Sequence, residues 1–423
     1  MLLLTKNMRS GPTVQHYLQH DSHPLVAVLD CSKAFDLAKW DTLFLRTLER
    51  KVPAVVVRAL MFVYQEQFAW VQWGGQRSDM FSVTNGTRQG SCASPMLWAT
   101  YCNPLLDRLR ALGVGCRIGG LFAGAVLYCD DILLIAPNRH SMALMLTECE
   151  KFAAESNITF STDPDPHKSK SKMIFMCGKQ ASLAKPVPLT LCGKELPWVS
   201  TALHLGHHLH EDGTLTHDIE VKRAEYIGKT MELREMLRFA SPVEVLVATS
   251  VYCSDYYGSL AGWDLGSDKA NMFFNAWSTH VRLTWRVPRQ ARTFLVQNVL
   301  APGLTSARTE VLARYVTFFR SLRNAPSHVV RTAALLAARD LQTVTGRNLA
   351  LVAELSQQDP WTASTERVRE ALREREMVEV PDVDSWHCKY LNKLLEERQE
   401  ANYNGDSDKE IRIAHLIDSL CVS

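Results

Sequence analysis

The chain has 423 residues, of which 46% are hydrophobic and 22% are charged, and its formal net charge is +2. That length suits about two to four structural units, and the composition is that of a globular protein with a large buried core. The longest apolar stretches, 53–64 and 122–136, fall short of the ~18 residues that a membrane span needs, and residues 1–4 are too short for a signal peptide, so we expect an intracellular chain in the cytoplasm or nucleus.

The first part of the chain is predicted to alternate between strands and helices. Residues 25–29 form a short apolar run that ends in Asp30, which predicts a buried strand with a carboxylate at its carboxyl end. Residues 41–64 have the periodicity of a helix. Residues 68–73 alternate like a strand and are followed by the turn residues Gly74 and Gly75.

A helix and a hairpin are predicted next. Ser94 and Pro95 are typical of an N-cap and a first helical residue, and the helix is expected to run to about Leu112 with a kink at Pro104. The apolar runs 125–128 and 132–136 flank a short polar break, which predicts a β-hairpin. The elements predicted after it are a helix and two strands: 141–155, 158–160 and 173–176.

From residue 186 onward the predicted structure changes from mixed to helical. A small hairpin is expected around Gly193. Residues 218–355 have an almost wholly helical pattern, with a capping box from Ser241 to Glu244 and a break at 324–327. Two charged helices are predicted in the acidic tail: 364–376 and 385–401.

Tyr128, Cys129, Asp130 and Asp131 place two acids between apolar runs. Buried neighbouring carboxylates repel one another unless they are paired or bind a metal ion. A hairpin tip would direct both toward one site, and Asp30 could lie beside them on the sheet. Three such acids form a hard-oxygen site that suits Mg²⁺, and two ions ~3.5–4 Å apart are the arrangement used for nucleotidyl transfer. An isolated Asp-Asp pair is more often a solvated turn, so other motifs must decide.

Three blocks of residues occur in the order 30–36, 88–95 and 128–131, and together they resemble the palm motifs of reverse transcriptases, above all those of retroelements without long terminal repeats. The first, Asp30 to Asp36, is similar to the family's aspartate followed by Ala-Phe-Asp, and the second, Arg88 to Pro95, is similar to its Gln-Gly and Ser-Pro motif. The third, Tyr128 to Asp131, resembles the aromatic-x-Asp-Asp motif. A nucleotide cyclase is another class of enzyme with a palm fold that could place acids in this way, but a cyclase has no reason to carry the second block.

The resemblance implies an α+β fold, in which an antiparallel palm sheet with helices precedes a mostly helical thumb. The expected domains are a fingers remnant, the palm, a β connection, the helical thumb with its extension, and a charged tail: 1–29, 30–180, 181–216, 217–355 and 356–423. Because only 29 residues precede Asp30 in this sequence, most of the fingers region is expected to be missing.

The resemblance also assigns roles to individual residues. Asp30 and Asp130 are the expected main metal ligands, Asp131 a further ligand or orienting acid, and the Cys31 carbonyl an additional ligand. Four residues are expected at the nucleotide. Phe35 is the expected sugar gate, Gln89 and Gly90 belong to the second block, and Lys170 is expected to neutralise or protonate pyrophosphate. From the residues alone, a core aromatic, a turn before a helix and a solvated loop remain open for these positions.

Two further groups could bind ligands. Between Arg282 and Arg331 there are nine arginines and no lysine, and four of them are expected to contact nucleic-acid phosphates: Arg282, Arg286, Arg289 and Arg292. Trp277 and Trp285, in the same stretch, could stack on nucleic acid or belong to a helical core. The histidines at 204, 207, 208 and 210 are expected to be exposed residues of strands and not zinc ligands.

The leading hypothesis is therefore an RNA-directed DNA polymerase of a retrotransposon. Its expected partners are an RNA template, a DNA primer and deoxynucleoside triphosphates, with two Mg²⁺ ions as cofactors and Mn²⁺ as a possible substitute. The alternative is a degenerate, weakly active or inactive fragment that only binds nucleic acid, because the fingers residues that grip the triphosphate are expected to be absent.

Overall fold

The computed structural model describes residues 10–88, 90–163, 165, 167–178, 184–252, 262–285, 304–326, 328–378, 397 and 411–412. The chain divides into two compact units, Met1–Leu215 and Thr216–Ser423. The first contains antiparallel strands with helices and the second is helical where it is described, which confirms the predicted α+β class. No helix in the described part of the chain combines the length and apolarity needed to cross a membrane.

The first unit has helices before, between and after its strands. Its described helices are α1 Ser10–Gln19, α2 Ala34–Leu37, α3 Trp40–Glu49, α4 Ala54–Gln65, α5 Ser94–Ala111 and α6 Arg139–Glu155. Its described strands are β1 Leu25–Ser32, β2 Phe68–Ala69, β3 Gln72–Trp73, β4 Gln76–Arg77, β5 Phe81–Ser82, β6 Arg117–Ile118, β7 Leu121–Phe122, β8 Ala125–Tyr128, β9 Asp131–Ala136, β10 Thr159–Phe160, β11 Lys172–Phe175, β12 Thr190–Leu191, β13 Lys194–Glu195, β14 Thr201–His204 and β15 His207–His210.

Strand β1 lies in the middle of the main sheet. The sheet has the order β10-β1-β9-β8, and β11 pairs with the same edge of β1 as β10 does. Because successive side chains of a strand point to opposite faces, β1 contributes to two separate cores. Leu25, Ala27 and Leu29 pack in the core that contains residues of α5 and α6, whereas Val26 and Val28 pack on the other face. Burial on both faces explains the continuous apolar run before Asp30.

Three of the predicted boundaries differ in the structure. The helix predicted over 41–64 is two helices, α3 and α4, because Pro53 has no amide hydrogen to continue α3 and instead serves as the N-cap of α4. The strand predicted over 68–73 is interrupted and becomes β2 and β3. The predicted N-cap Ser94 is wrong by one residue: Ala93 is the N-cap, and the Ser94 hydroxyl donates to the Arg88 carbonyl.

The predicted hairpin and the helix after it are confirmed. Strands β8 and β9 are antiparallel and are joined by two residues, with Tyr128 opposite Asp131. Helix α6 begins two residues earlier than expected because the Asn138 side chain accepts a hydrogen bond from the Ser141 amide at 2.9 Å and caps it. The predicted hairpin around Gly193 is also present, as β12 and β13.

The second unit is a set of helices wherever it is described. They are α7 Thr216–Met236, a 3₁₀ turn at Leu237–Phe239, α8 Pro242–Tyr252, α9 Asp268–Thr284, α10 Ala307–Arg323, α11 His328–Arg339, α12 Val344–Ser356 and α13 Thr365–Val378. The predicted break at 324–327 separates α10 from α11. The capping box is confirmed, since the Ser241 amide donates to Glu244 at 2.7 Å and the Glu244 amide donates to the Ser241 hydroxyl at 3.4 Å.

Large aromatic side chains form the core of this second unit. Trp263, Phe273 and Trp277 are almost fully buried, and Trp285 is 8% exposed. The indole of Trp263 donates to the carboxylate of Asp218 at 2.9 Å. Both Trp277 and Trp285 are therefore core residues in this structure. The first predicted tail helix corresponds to α13, whereas the second, 385–401, lies outside the described residues except for Glu397.

Candidate active site

Strand β1 brings Asp30 opposite Asp131, the first residue of β9. The main chain of Asp30 bonds on the other edge of β1, where its amide donates to the Ser171 hydroxyl at 3.1 Å and its carbonyl accepts from the Ser161 amide at 2.9 Å. Asp30 and Asp131 are therefore a non-hydrogen-bonded antiparallel pair. Residues paired in this way have their Cα atoms about 4.5 Å apart and their side chains on the same face.

The turn between β8 and β9 places Asp130 beside this pair. Its two residues are Cys129 and Asp130, and Cys129 has a φ of 52°, which is uncommon for a residue with a side chain. The Cys31 amide donates to the Asp130 carbonyl at 3.4 Å. The turn therefore rests against β1 one residue beyond Asp30, and the structure brings Asp30 next to Asp130 and Asp131, two neighbouring acids that lie about a hundred residues later in the sequence.

The electrostatics at Asp30 show that negative charge is unfavourable there. Burial raises the pKa of the Asp30 carboxyl, the ammonium of Lys170 lowers it, and the charge of Asp130 raises it again, with a net pKa above the ordinary value for an aspartate. The Lys170 Nζ lies 3.8 Å from Asp30 Oδ2, but its side chain is 72% exposed, so solvent screens the attraction. Like charges on directly opposite residues of two paired strands destabilise the sheet. A cation bound between the carboxylates would make their charges stabilising instead.

The donor set fits a divalent metal ion. Carboxylate oxygens are the ligands that Mg²⁺ and Mn²⁺ prefer, and Asp30, Asp130 and Asp131 supply six of them at one end of the sheet. Within the part of the chain that the structure describes, no three His, Cys, Asp or Glu side chains already converge at metal-ligand spacing. Rotation of the carboxylates would have to complete the coordination.

Phe35, in the same sequence block as Asp30, is half-buried, and its ring centroid lies 5.5 Å from that of the buried Trp98. The Thr87 amide donates to the Phe35 carbonyl at 2.6 Å, which ties the loop of the second block to the first. Gly86 precedes this bond with a φ of +87°, and a Cβ there would meet the Phe35 carbonyl oxygen at 2.9 Å. Gly86 was missed from the sequence, although an Asn-Gly pair is a turn signal.

The second block is only partly described. Gly90 is exposed, has a φ of +81° and has open space around its α-carbon, so here its backbone conformation favours glycine. Gln89 lies outside the described residues. Two serines that bond the Asp30 main chain, Ser161 and Ser171, were not singled out from the sequence, where small polar residues in a polar connection carry no distinguishing pattern.

Among the four arginines expected at phosphates, only Arg282 is described. It lies on α9, is half-buried and donates to Thr279 at 3.4 Å, and burial lowers the pKa of its guanidinium. Arg286, Arg289 and Arg292 lie outside the described residues. Three other arginines of this stretch bond main-chain carbonyls within their own unit: Arg320, Arg323 and Arg331.

The expectation that the histidines at 204–210 are all exposed is wrong for His204. It is 4% exposed, whereas His207, His208 and His210 are partly buried on β15. The pair β14–β15 explains this, because the burial of β14 alternates and places His204 and Ala202 on the inward face.

Comparison with known proteins gives a family match for the first part of the chain. The family "Reverse transcriptase (RNA-dependent DNA polymerase)" matches residues 3–209. A Pol polyprotein of the type-1 retrotransposable element R2 from Nasonia vitripennis is 24% identical over 173 residues, which are 40% of this chain and 16% of that protein. A Pol polyprotein of the type-2 element R2DM from Drosophila melanogaster is 26% identical over 150 residues, which are 36% of this chain and 14% of that protein.

The aligned segment thus spans about a sixth of the length of these curated relatives. Members of the reverse transcriptase family bind a nucleic-acid template and primer and generally use divalent metal ions. The match begins before Asp30 and continues past Lys170, so it includes all three sequence blocks and the carboxylate site. Residues 3–209 therefore form a reverse transcriptase domain, and part of it is similar to the Pol polyproteins of R2 retrotransposable elements.

Proposed function

We propose that the chain is the RNA-directed DNA polymerase of a retrotransposon and adds deoxynucleotides to the 3′-hydroxyl of a primer on an RNA template. The observation that carries the proposal is the placement of Asp30 opposite Asp131, with Asp130 in the adjoining turn, inside a domain of the reverse transcriptase family. In this proposal residues 30–180 are the palm, 181–216 the β connection and 217–355 the thumb with its extension.

The side chains of the site have separate roles in the proposed reaction. Asp30 and Asp130 would hold two Mg²⁺ ions, and Asp131 and the Cys31 carbonyl would complete or orient the ligand set. Ions bound there would supply the positive charge that activates the primer hydroxyl and neutralises the leaving pyrophosphate. Lys170, whose ammonium lies 3.8 Å from Asp30, is close enough to neutralise or protonate that pyrophosphate.

Phe35 is proposed as the residue that selects the sugar. Its half-buried ring packs on Trp98 and is therefore held in place, so it can exclude a 2′-hydroxyl by steric contact. We expect Phe35→Ala to raise the incorporation of ribonucleotides relative to deoxynucleotides by about tenfold or more, corresponding to ~1.4 kcal/mol of lost discrimination. The measurement is primer extension with each nucleotide separately. An unchanged ratio would leave Phe35 with a packing role alone.

Primer extension on an RNA template also tests the polymerase activity itself. The chain is expected to extend the primer with Mg²⁺ and deoxynucleotides, and Asp130→Asn is expected to abolish extension because it removes a charge without changing the volume. Asp107→Asn is the matched control, since Asp107 is an exposed surface carboxylate that pairs with Arg50 and Arg110 on the same unit. Template binding without extension by the unmodified chain would favour the inactive-fragment alternative, and undiminished extension by Asp130→Asn would refute the metal assignment.

A further inference from the structure

The edge of β1 that faces away from β9 changes its partner strand at Asp30. Strand β11 pairs with residues 25–28 and β10 pairs with residues 31–32, so the ladder is interrupted between them. On this edge the Asp30 amide has no strand partner and donates to the Ser171 hydroxyl instead, at 3.1 Å. The Ser171 side chain thus takes the place of a strand-to-strand hydrogen bond at Asp30.

Ser171 is itself held firmly in place. It is fully buried, its amide donates to the Ser161 carbonyl at 3.0 Å, and its carbonyl accepts from the Ser169 hydroxyl at 2.5 Å. Ser161 in turn donates its amide to the Asp30 carbonyl at 2.9 Å. The two polar groups of the Asp30 main chain therefore bond to one short, internally bonded connection between β10 and β11.

We propose that Ser171 is a positioning residue of the polymerase site, which holds the Asp30 main chain so that its carboxylate stays opposite Asp131 and beside Asp130. This inference rests on the proposed function, because the carboxylates must share divalent cations for the positioning to matter. Bulk water cannot replace the hydroxyl at a fully buried position, so its removal leaves the Asp30 amide without its acceptor. Residues that orient metal ligands commonly change metal affinity by about 10–100-fold when they are mutated.

The test is the affinity of the chain for Mn²⁺ alone, measured by electron paramagnetic resonance without nucleic acid. We expect Ser171→Ala to weaken Mn²⁺ binding by about tenfold or more. Ser156→Ala is the matched control, because Ser156 is an equally buried serine of the same unit whose hydroxyl accepts from Arg46 at 2.8 Å. The Mn²⁺ affinity of Ser156→Ala should stay within about twofold of that of the unmodified chain, since a general loss of packing does not reposition the metal ligands.

Hydrogen exchange provides a second readout at the bond itself. The Asp30 amide should exchange faster in Ser171→Ala than in Ser156→Ala. If Ser171→Ala does not fold, Ser171→Cys fills the same volume with a much weaker acceptor and is expected to show the same loss of Mn²⁺ affinity. Equal affinity and exchange in the Ser171 and Ser156 variants would overturn the positioning role while leaving the metal site intact. Unchanged Mn²⁺ binding in Asp30→Asn would instead refute the metal site of the proposed function.

Discussion

In the sheet of the first unit Asp30 lies across from another carboxylate, Asp131, whereas in the helical unit Glu310 lies between two arginines. Glu310, on α10, accepts from Arg314 at 2.5 Å and from Arg369 at 2.7 Å, and its side chain is 12% exposed. Burial by itself would raise the pKa of Glu310, but the hydrogen bonds from Arg369 and Arg314 outweigh it and lower the pKa below the ordinary value.

The charges on the two carboxylates thus have opposite effects on the stability of the folded chain. The charge on Asp30 is unfavourable in the folded chain, as its raised pKa shows, and the charge on Glu310 is favourable. A carboxylate that its surroundings neutralise contributes to stability, while one that faces another carboxylate gains most from a bound cation. Structural charges such as that of Glu310 therefore differ from the charges proposed for catalysis, and three experiments test this difference.

The largest expected effect is on activity. Asp30→Asn should reduce primer extension by ~100-fold or more, because it removes an anionic metal ligand. The same change should leave the free energy of unfolding at neutral pH unchanged or raise it by up to about 1 kcal/mol, since it relieves the burial of charge and the repulsion from Asp130. Primer extension and urea unfolding measure the two quantities. A large loss of stability would mean that Asp30 is a structural charge after all.

A smaller effect, on stability, is expected at Glu310. Glu310→Gln should lower the free energy of unfolding of the helical unit by about 2 kcal/mol, because two charge-assisted hydrogen bonds lose their anionic acceptor. Mn²⁺ affinity should not change. Glu374→Gln, at an exposed position of α13, is the control and should have little effect on unfolding. Equal free energies of unfolding in the two variants would show that the ion pairs of Glu310 with Arg314 and Arg369 contribute no more than an exposed charge does.

The smallest effect is a dependence on pH with opposite signs at the two sites. The stabilisation from Glu310 is present above the unfolded-state pKa of ~4.3 and is lost as the pH falls through its lowered folded-state pKa. The unfavourable contribution of Asp30 is present above its raised folded-state pKa and disappears as the pH falls toward ~3.9. We expect urea unfolding from pH 7 to pH 3 to show that the free energy of unfolding of each variant approaches that of the unmodified chain as the pH falls. It should start lower for Glu310→Gln and higher for Asp30→Asn. Convergence from the same side would contradict the comparison.

Several elements of this molecule could be predicted because their signals are local. The apolar runs on either side of Asp130 predict the β8–β9 hairpin, and the apolar run before Asp30 predicts β1, since strand burial depends on side chains close together in sequence. The capping box at Ser241 and Glu244 lies within four residues and was likewise predicted. The burial of His204 was not, because it depends on which face of β14 turns inward.

The family, the three acids and the strands that carry them follow from the amino-acid sequence alone, because motif order and apolar periodicity are properties of neighbouring residues. The pairing of Asp30 with Asp131 in register and the hydrogen bond from the Asp30 amide to the Ser171 hydroxyl are visible only in the folded chain. These contacts join residues about a hundred or more positions apart, and a shift of one residue in strand register would reverse every side-chain direction. Local sequence carries no information on that register, which is set by the packing of the whole sheet.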